Sequence, residues 1–136
     1  MKFFQVLKNL FKKQESFQKQ SSEDILTQIY ESQKRLQLKY GHDFDKMTEV
    51  EKEQYTRDSI LYLLEETHEL LRETNFKTYK KVRKPINIEK IFEELVDIGC
   101  FYENLCACWG LDPQKRLQEY QKKNQINLSR FNDKTY

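Results

Sequence analysis

The sequence predicts an all-α protein, a helical bundle of about four to five helices. Only three glycines and two prolines occur among 136 residues, and so few breakers leave little room for the turns of a β-sandwich. Apolar residues also recur at helical spacing in several long segments that are bounded by capping residues. A length of 136 residues with 38% hydrophobic content is enough for one core and too short for two comfortable ones.

We expect two parts in the chain, a basic amphipathic extension over residues 1–20 and a single domain over residues 21–136. In the extension, Phe3, Leu7 and Phe11 follow helical spacing and lysines oppose them. This pattern favours an extra helix that packs on the domain or on a second subunit. Contact with a membrane surface, a targeting role and a frayed terminus are the alternatives.

The first helix of the domain is predicted from residue 25 to Gly41. Ser21 and Ser22 are candidate N-caps, and Gly41 is a typical residue for the C-terminal stop. The next helix begins at a capping box, Thr48-x-x-Glu51, and is predicted to run from residue 49 to about residue 73, with a break near residues 55–58 left open.

Two further helices complete the predicted bundle. Asn87 is a candidate cap for a helix that ends at Gly110, and Asp112 followed by Pro113 is typical of the start of the last helix. Short connections between these segments predict antiparallel neighbours.

An acidic pair lies on the second predicted helix, inside an apolar segment. At about 100° per residue, Glu66 and Glu69 share one face, at the margin of an apolar stripe that includes Leu63 and Leu70. Burial of a free carboxylate is energetically costly, so carboxylates at this position need a compensating interaction. A single Glu pair at this spacing is also common on solvated helix faces, and that alternative stays open for this pair alone.

A second acidic pair, Glu94 and Asp97, shares one face of the third predicted helix. Residues 91–109 are apolar almost all round, as expected of a helix that is buried on most faces, so this pair is predicted to point inward. If the two helices pack together, four carboxylates converge, and their repulsion has to be relieved by protons or cations. Oxygen ligands select hard ions, which predicts Mg²⁺, an ion that shares its shell with phosphate oxygens.

These two pairs carry a family resemblance. Glu66-x-x-Glu69 and Glu94-x-x-Asp97, separated by residues 70–93, resemble the metal-binding signature of the all-α nucleoside triphosphate pyrophosphohydrolases, the dimeric dUTPase-like and MazG-like superfamily. The resemblance covers roughly residues 25–131. It implies a bundle completed by dimerisation, as a homodimer or a dimer of dimers, with two or more Mg²⁺ ions, for which Mn²⁺ would substitute.

The implied reaction converts a nucleoside triphosphate to its monophosphate and pyrophosphate, with dUTP as the first choice of substrate. A MazG-like house-cleaning activity on other or non-standard nucleotides is the alternative within the family. The four carboxylates would hold the ions, and Glu66 or the adjacent Glu65 would orient the attacking water or take its proton.

Three other segments match the family. The loop 75–85 resembles its Asn-Trp-Lys segment, although Phe76 and Tyr79 stand where tryptophans are usual, and this departure weakens the case for strict uracil specificity. The tail resembles the family's Lys-Asn-x-x-Asn-x-x-Arg pattern, and Gln33 matches a base-reading position on the first helix. The substrate-binding residues implied are therefore Gln33, Lys77, Lys80, Lys123, Asn127 and Arg130.

Two alternative functions lie outside this family. Glu65-x-x-His68 imitates half of a di-iron carboxylate site, but a second Glu-x-x-His is missing because Lys39 stands three residues before His42. The other is a non-enzymatic helical module whose acidic clusters meet a basic partner.

The charge balance and the cysteine content limit which binding partners and which cellular compartment the sequence predicts. The 24 basic and 22 acidic residues nearly cancel, which gives no sign of a nucleic-acid partner. Three cysteines cannot form a closed disulfide framework, and no apolar run is long enough to span a membrane. These features predict a cytoplasmic protein with reduced thiols.

Overall fold

A computed structural model describes residues 24–132, and the extension 1–20 lies outside this range. Four helices follow one another: α1 (Ile25–Lys39), α2 (Glu49–Arg72), α3 (Ile88–Cys108) and α4 (Pro113–Asn132). The described part of the chain contains no strand, which confirms the all-α prediction. None of its helices is both long enough and apolar enough to cross a membrane.

The predicted capping residues at the starts of α2, α3 and α4 are confirmed. The Thr48 hydroxyl accepts from the Glu51 amide (3.3 Å), and the Glu51 carboxylate accepts from the Thr48 amide (2.7 Å). The Asn87 side chain accepts from the amide of Lys90 (3.3 Å), and Asp112 caps α4 in the same way. Local hydrogen bonds of these side chains with the first-turn amides thus set where the helices begin.

Two details of the predicted helix ends need correction or completion. The N-cap of α1 is Asp24, whose carboxylate accepts from the Leu26 amide at 3.2 Å, whereas Ser21 and Ser22 lie outside the described residues. Gly41 does follow α1, with φ of 91°, a conformation that favours glycine. The second helix has no break at residues 55–58, and it ends at Arg72 with Glu73 as its cap.

Helices α2 and α3 are antiparallel, and α1 packs on α3. The indole of Trp109, just after α3, donates to the hydroxyl of Thr56 near the start of α2 (2.8 Å), while Glu66 further along α2 approaches Asp97 in the middle of α3. The acidic segments of the two helices therefore face each other across one interface.

The buried core lies at one end of this bundle. It contains Tyr30 from α1, Phe44 from the α1–α2 loop and residues 106–108 of α3. The Phe44 ring meets Tyr55 of α2 edge-on, with ring centroids 5.0 Å apart. This cluster fixes the ends of the helices away from the acidic segments.

The prediction that α3 is buried on most faces is wrong for the single chain that the structure describes. Its residues 103, 104 and 106–108 are buried, but Phe92 and Val96 in its first half are 61% and 63% exposed. The reason is that, among the described residues, α1 and α2 supply most of the cover of α3, and α4 adds Arg116 beside Glu103 and Tyr102. The apolar side chains of α3 are therefore mostly buried or half-buried in its second half and mostly exposed to solvent in its first half.

A buried ion pair joins α4 to α3. Arg116 makes two hydrogen bonds with the Glu103 carboxylate, at 2.6 and 2.7 Å, and its guanidinium lies over the Tyr102 ring, 5.3 Å from the centroid. Beyond this anchor, every residue from Leu117 to Asn132 is exposed. Helix α4 is thus attached through its first turns.

Candidate functional site

Three of the four predicted metal ligands form a tight cluster. Carboxylate oxygens of Glu66 on α2 and of Glu94 and Asp97 on α3 all lie within 4.8 Å of one another. Each side chain is partly buried. The i, i+3 spacing on α3 places its two carboxylates on one face, and the antiparallel packing brings Glu66 opposite them.

The cluster is electrostatically frustrated. The pKa of Glu66 is raised above its usual value, first by burial and then by the charges of Asp97, Glu69 and Glu65. Burial likewise raises the pKa of Glu94, and Glu69, Glu66 and Asp97 raise it further. Burial and like charge therefore both disfavour the ionised forms of these two groups.

The geometry fits a hard divalent cation. An octahedral shell with Mg²⁺–oxygen distances of roughly 2.1 Å places ligand oxygens about 3 to 4 Å apart, a spacing that small side-chain adjustments would reach from the observed cluster. The donors are all carboxylate oxygens, which select Mg²⁺ or Mn²⁺ over softer metals. In the described residues, no histidine or cysteine joins the cluster.

Glu69 and Glu65 lie at the edge of the cluster and share a cation. The Nη2 atom of Arg72 lies 3.3 Å from an oxygen of each carboxylate. The charge of Glu69 raises the pKa of both Glu66 and Glu94, but Glu69 is not one of the three carboxylates whose oxygens lie within 4.8 Å of one another. Glu65 is exposed on the outer side of the helix.

Gln33 reaches the same side of α3 from α1. Its side-chain amide donates to the sulfur of Cys100 at 3.4 Å, and Cys100 follows Asp97 by one helical turn. Burial raises the pKa of the Cys100 thiol, which keeps this sulfur protonated and unreactive. The predicted base-reading amide is therefore near the acidic cluster, and its role stays a prediction.

Lys77 and Lys80 lie on the wall of a pocket formed by the loop between α2 and α3. The pocket has a volume of about 530 Å³. The loop is closed by Asn75, whose amide donates to the Lys84 carbonyl (3.0 Å) and whose carbonyl accepts from the Lys84 amide (2.9 Å). The two lysines thus belong to a folded loop.

The three predicted tail residues, Lys123, Asn127 and Arg130, are exposed on the outer part of α4. Helix α4 lies close to α1, and its Arg116 side chain bonds to Glu103 of α3. Neither Lys123 nor Arg130 is among the charged groups that act on the pKa of Glu66 or Glu94. A role of the three residues at the acidic cluster therefore stays a prediction.

Sequence patterns give little sign of three further polar side chains, of which two lie beside the site and one lies about two turns away on α3. Arg72 is detectable in principle, because it stands at i+3 from Glu69. The Asn75 clamp spans nine residues and has no local signature. Asn104 lies two turns beyond Asp97 on α3, and its buried Oδ1 atom has no partner among the described residues; an apolar helix pattern does not reveal such an atom.

His68 has a different place from the one that a di-iron site requires. It lines the loop pocket together with Arg72, while Glu65 is held by Arg72 on the outer face. The half-pattern of a di-iron site does not assemble in the described part of the chain.

Comparison with known proteins finds no relative: no family model matches the chain, and no curated protein or solved structure is significantly similar to it. The resemblance to the pyrophosphohydrolases therefore depends on the motifs alone.

Proposed function

We propose that the protein is a Mg²⁺-dependent nucleoside triphosphate pyrophosphohydrolase that cleaves between the α and β phosphates. The observation that carries the proposal is the convergence of Glu66, Glu94 and Asp97, with carboxylate oxygens within 4.8 Å of one another. Two of these groups have raised pKa values caused by burial and like charge. A purely structural cluster of this kind would cost stability without return.

The cluster residues would hold Mg²⁺, with Glu69 joining them after it leaves Arg72. When bound, the ions neutralise phosphate oxygens and make an attacking water more acidic. Of the two predicted bases, Glu66 is favoured because its carboxylate lies in the cluster that would hold the ions. Glu65 is the weaker candidate because Arg72 pairs with it.

The substrate proposed first is dUTP. Gln33 offers both a donor and an acceptor, which suits the imide edge of uracil, and it contacts the helix that carries Asp97. Phe76 and Tyr79 stand where the family usually has tryptophans, and this difference weakens the case for strict uracil specificity. Other deoxynucleotides or non-standard nucleotides are therefore the alternative substrates. Lys77 and Lys80, with Lys123, Asn127 and Arg130, are proposed to bind phosphate oxygens.

We also propose that the active form is a homodimer or a dimer of dimers. The first half of α3 exposes Phe92 and Val96, and α4 exposes an apolar stripe that includes Leu117 and Phe131. A second chain that covers these faces would also let the tail residues of α4 approach a carboxylate cluster. We place the protein in the cytoplasm, where its three cysteines would stay free.

The experiment that tests the function is a panel of NTPs and dNTPs assayed for pyrophosphate release with Mg²⁺. The wild-type chain should release pyrophosphate from at least one nucleotide, and Asp97→Asn should reduce turnover by about a hundredfold or more, since it removes a charged ligand. Glu53→Gln, an exposed site on α2, serves as the matched control. Equal turnover by wild type and Asp97→Asn would remove the cluster from the reaction.

The exposed apolar surface favours a second candidate, a non-enzymatic interaction module. Such a module would gain no thermal stability from Mg²⁺ with a non-hydrolysable nucleotide, whereas an enzyme gains stability by ligand linkage. A thermal-shift measurement with and without these ligands separates the two.

A further inference from the structure

The pocket between the end of α2 and the following loop has an unusual charge composition. Its wall contains five lysines and arginines, one histidine and no carboxylate, in a chain whose 24 basic and 22 acidic residues nearly balance. The remaining lining groups are two threonine hydroxyls, one amide, one aromatic ring and one valine. The six basic lining residues are His68, Arg72, Lys77, Lys80, Arg83 and Lys84.

The fold brings these cations together around one cavity. The two hydrogen bonds between Asn75 and the Lys84 backbone, at 3.0 and 2.9 Å, join the two ends of the loop. Lys77, Lys80 and Arg83 are thereby held around one cavity with the side chains at the end of α2. A concave wall that is lined by one sign of charge attracts ions of the opposite sign, here anions.

The cavity is suited to more than one phosphate group. Its volume of about 530 Å³ is in the range of small-molecule sites. Lysine ammonium groups and arginine guanidinium forks form charge-assisted hydrogen bonds with phosphate oxygens, and threonine hydroxyls such as that of Thr78 add neutral ones. No carboxylate lines the wall, although Arg72 at its edge also pairs with Glu65 and Glu69.

The pocket lies close to the acidic cluster along α2. Arg72 stands six residues after Glu66, which corresponds to roughly 9 Å along a helix. Arg72 lines the pocket and also contacts Glu69 at 3.3 Å. A cation site and an anion site therefore stand next to each other on one helix, with Arg72 between them.

We infer that the pocket lined by Arg72, Lys80 and Arg83 binds a diphosphate group. This inference deepens the proposed function, because the group would be the outer two phosphates of the bound triphosphate or the pyrophosphate formed from them. The pocket holds the diphosphate through Lys and Arg donors, separately from the metal held by Glu66, Glu94 and Asp97.

The test is titration of inorganic pyrophosphate into the full chain in EDTA, followed by calorimetry at fixed ionic strength. Removal of metal excludes binding through the carboxylate cluster. The double variant Lys80→Gln/Arg83→Gln should weaken binding at least tenfold, because two charge-assisted contacts are lost. Lys81→Gln is the control, since Lys81 is an exposed lysine of the same loop that does not line the pocket, and it should change the affinity less than twofold.

A second arm identifies the source of the diphosphate. With Mg²⁺ and a non-hydrolysable deoxynucleoside triphosphate, a similar loss in the double variant assigns the pocket to the outer phosphates of the nucleotide. Retained nucleotide affinity with lost pyrophosphate affinity assigns it to free pyrophosphate. Both results support a diphosphate site.

Two results would overturn the inference. One is that the wild-type chain does not bind pyrophosphate. The other is that Lys81→Gln weakens pyrophosphate binding as much as the double variant does, which would show that general positive charge attracts the anion. Binding of a single-stranded oligonucleotide in place of pyrophosphate would also refute it. The outcome is separable from that of the proposed function, since pyrophosphate binding in EDTA requires no turnover, and turnover lost in Asp97→Asn requires no pyrophosphate affinity.

Discussion

At the level of single residues, the acidic cluster determines how stability depends on pH. The pKa values of Glu66 and Glu94 in the folded chain lie above their ordinary value of 4.5. Just above pH 4.5 the folded state therefore binds more protons than the unfolded state, and the free energy of unfolding falls as the pH rises through the raised pKa values. Protonation or a bound cation removes this penalty.

Glu66→Gln should therefore stabilise the metal-free protein at pH 7 and raise its Tm by about 2 °C, since relief of like-charge contacts between partly exposed side chains is worth a few tenths of a kcal/mol. At pH 4 the gain should vanish, because wild-type Glu66 is then protonated. Thermal unfolding in EDTA at both pH values measures the difference. A loss of Tm at pH 7, or the same gain from Glu53→Gln on the same helix, would contradict the electrostatic explanation.

The Glu103–Arg116 pair has a different energetic role. Both side chains are largely buried, and the pKa of the Arg116 guanidinium is raised, chiefly by its hydrogen bond with Glu103. Arg116→Ala should cost about 3 kcal/mol because it leaves a buried carboxylate unpaired. Lys122→Ala, which breaks the exposed pair with Glu119, should cost less than about 1 kcal/mol. Urea unfolding of both variants makes the comparison, and equal costs would show that burial of the pair is unimportant.

At the level of elements, the loop between α2 and α3 depends on one side chain. Asn75 provides both the donor and the acceptor that hold the backbone of Lys84. The loop is otherwise exposed, so its shape is set by this pair of hydrogen bonds more than by packing.

Asn75→Ala should open the loop locally without unfolding the bundle. The amide of Lys84 loses its acceptor, and its hydrogen exchange should become faster by about tenfold, with a global stability change of about 1 kcal/mol. Hydrogen exchange by NMR reports on this amide directly. Asn75→Asp keeps the acceptor and is the control, which should retain most of the protection. Unchanged exchange in Asn75→Ala would mean that another contact closes the loop.

The helices and their caps could be predicted from the sequence because their causes are local. The Thr48–Glu51 box, Asn87 and Asp112 each bond within three residues along the chain. The convergence of Glu66 with Glu94 and Asp97 follows once two helices with acidic faces are packed. The loop pocket depends on the long-range Asn75–Lys84 clamp. The partial burial of α3 depends on what surrounds it, and periodicity alone does not report how many neighbours a helix has.

At the level of the whole molecule, the main feature is the apolar surface that one chain leaves uncovered. The half of α3 that carries the acidic cluster exposes Phe92 and Val96, and a helix as apolar as this one is usually buried on most faces. Helix α4 is anchored by Arg116 and is exposed from Leu117 onwards. Isolated helices are marginal in water, which favours a partner for both surfaces.

In light scattering coupled to gel filtration, the 136-residue chain should therefore have twice the 16.7 kDa mass of one chain, or a higher multiple. The double variant Phe92→Gln/Val96→Gln should shift the distribution towards monomer and lower turnover, because association buries these side chains. Val50→Gln, which changes an apolar residue that is 71% exposed at the start of α2, should leave the mass unchanged. A monomeric wild-type chain with full activity would exclude assembly as a requirement.

The most direct test of the account is Mn²⁺ binding, measured by electron paramagnetic resonance with a non-hydrolysable dUTP analogue present. Wild type and Glu53→Gln should remove free Mn²⁺ from solution, and Glu94→Gln and Asp97→Asn should bind it at least tenfold more weakly, because each loses a charged oxygen ligand. Binding by these two variants that equals the wild type, or no binding by the wild type, would contradict the claim that this carboxylate cluster is a metal site.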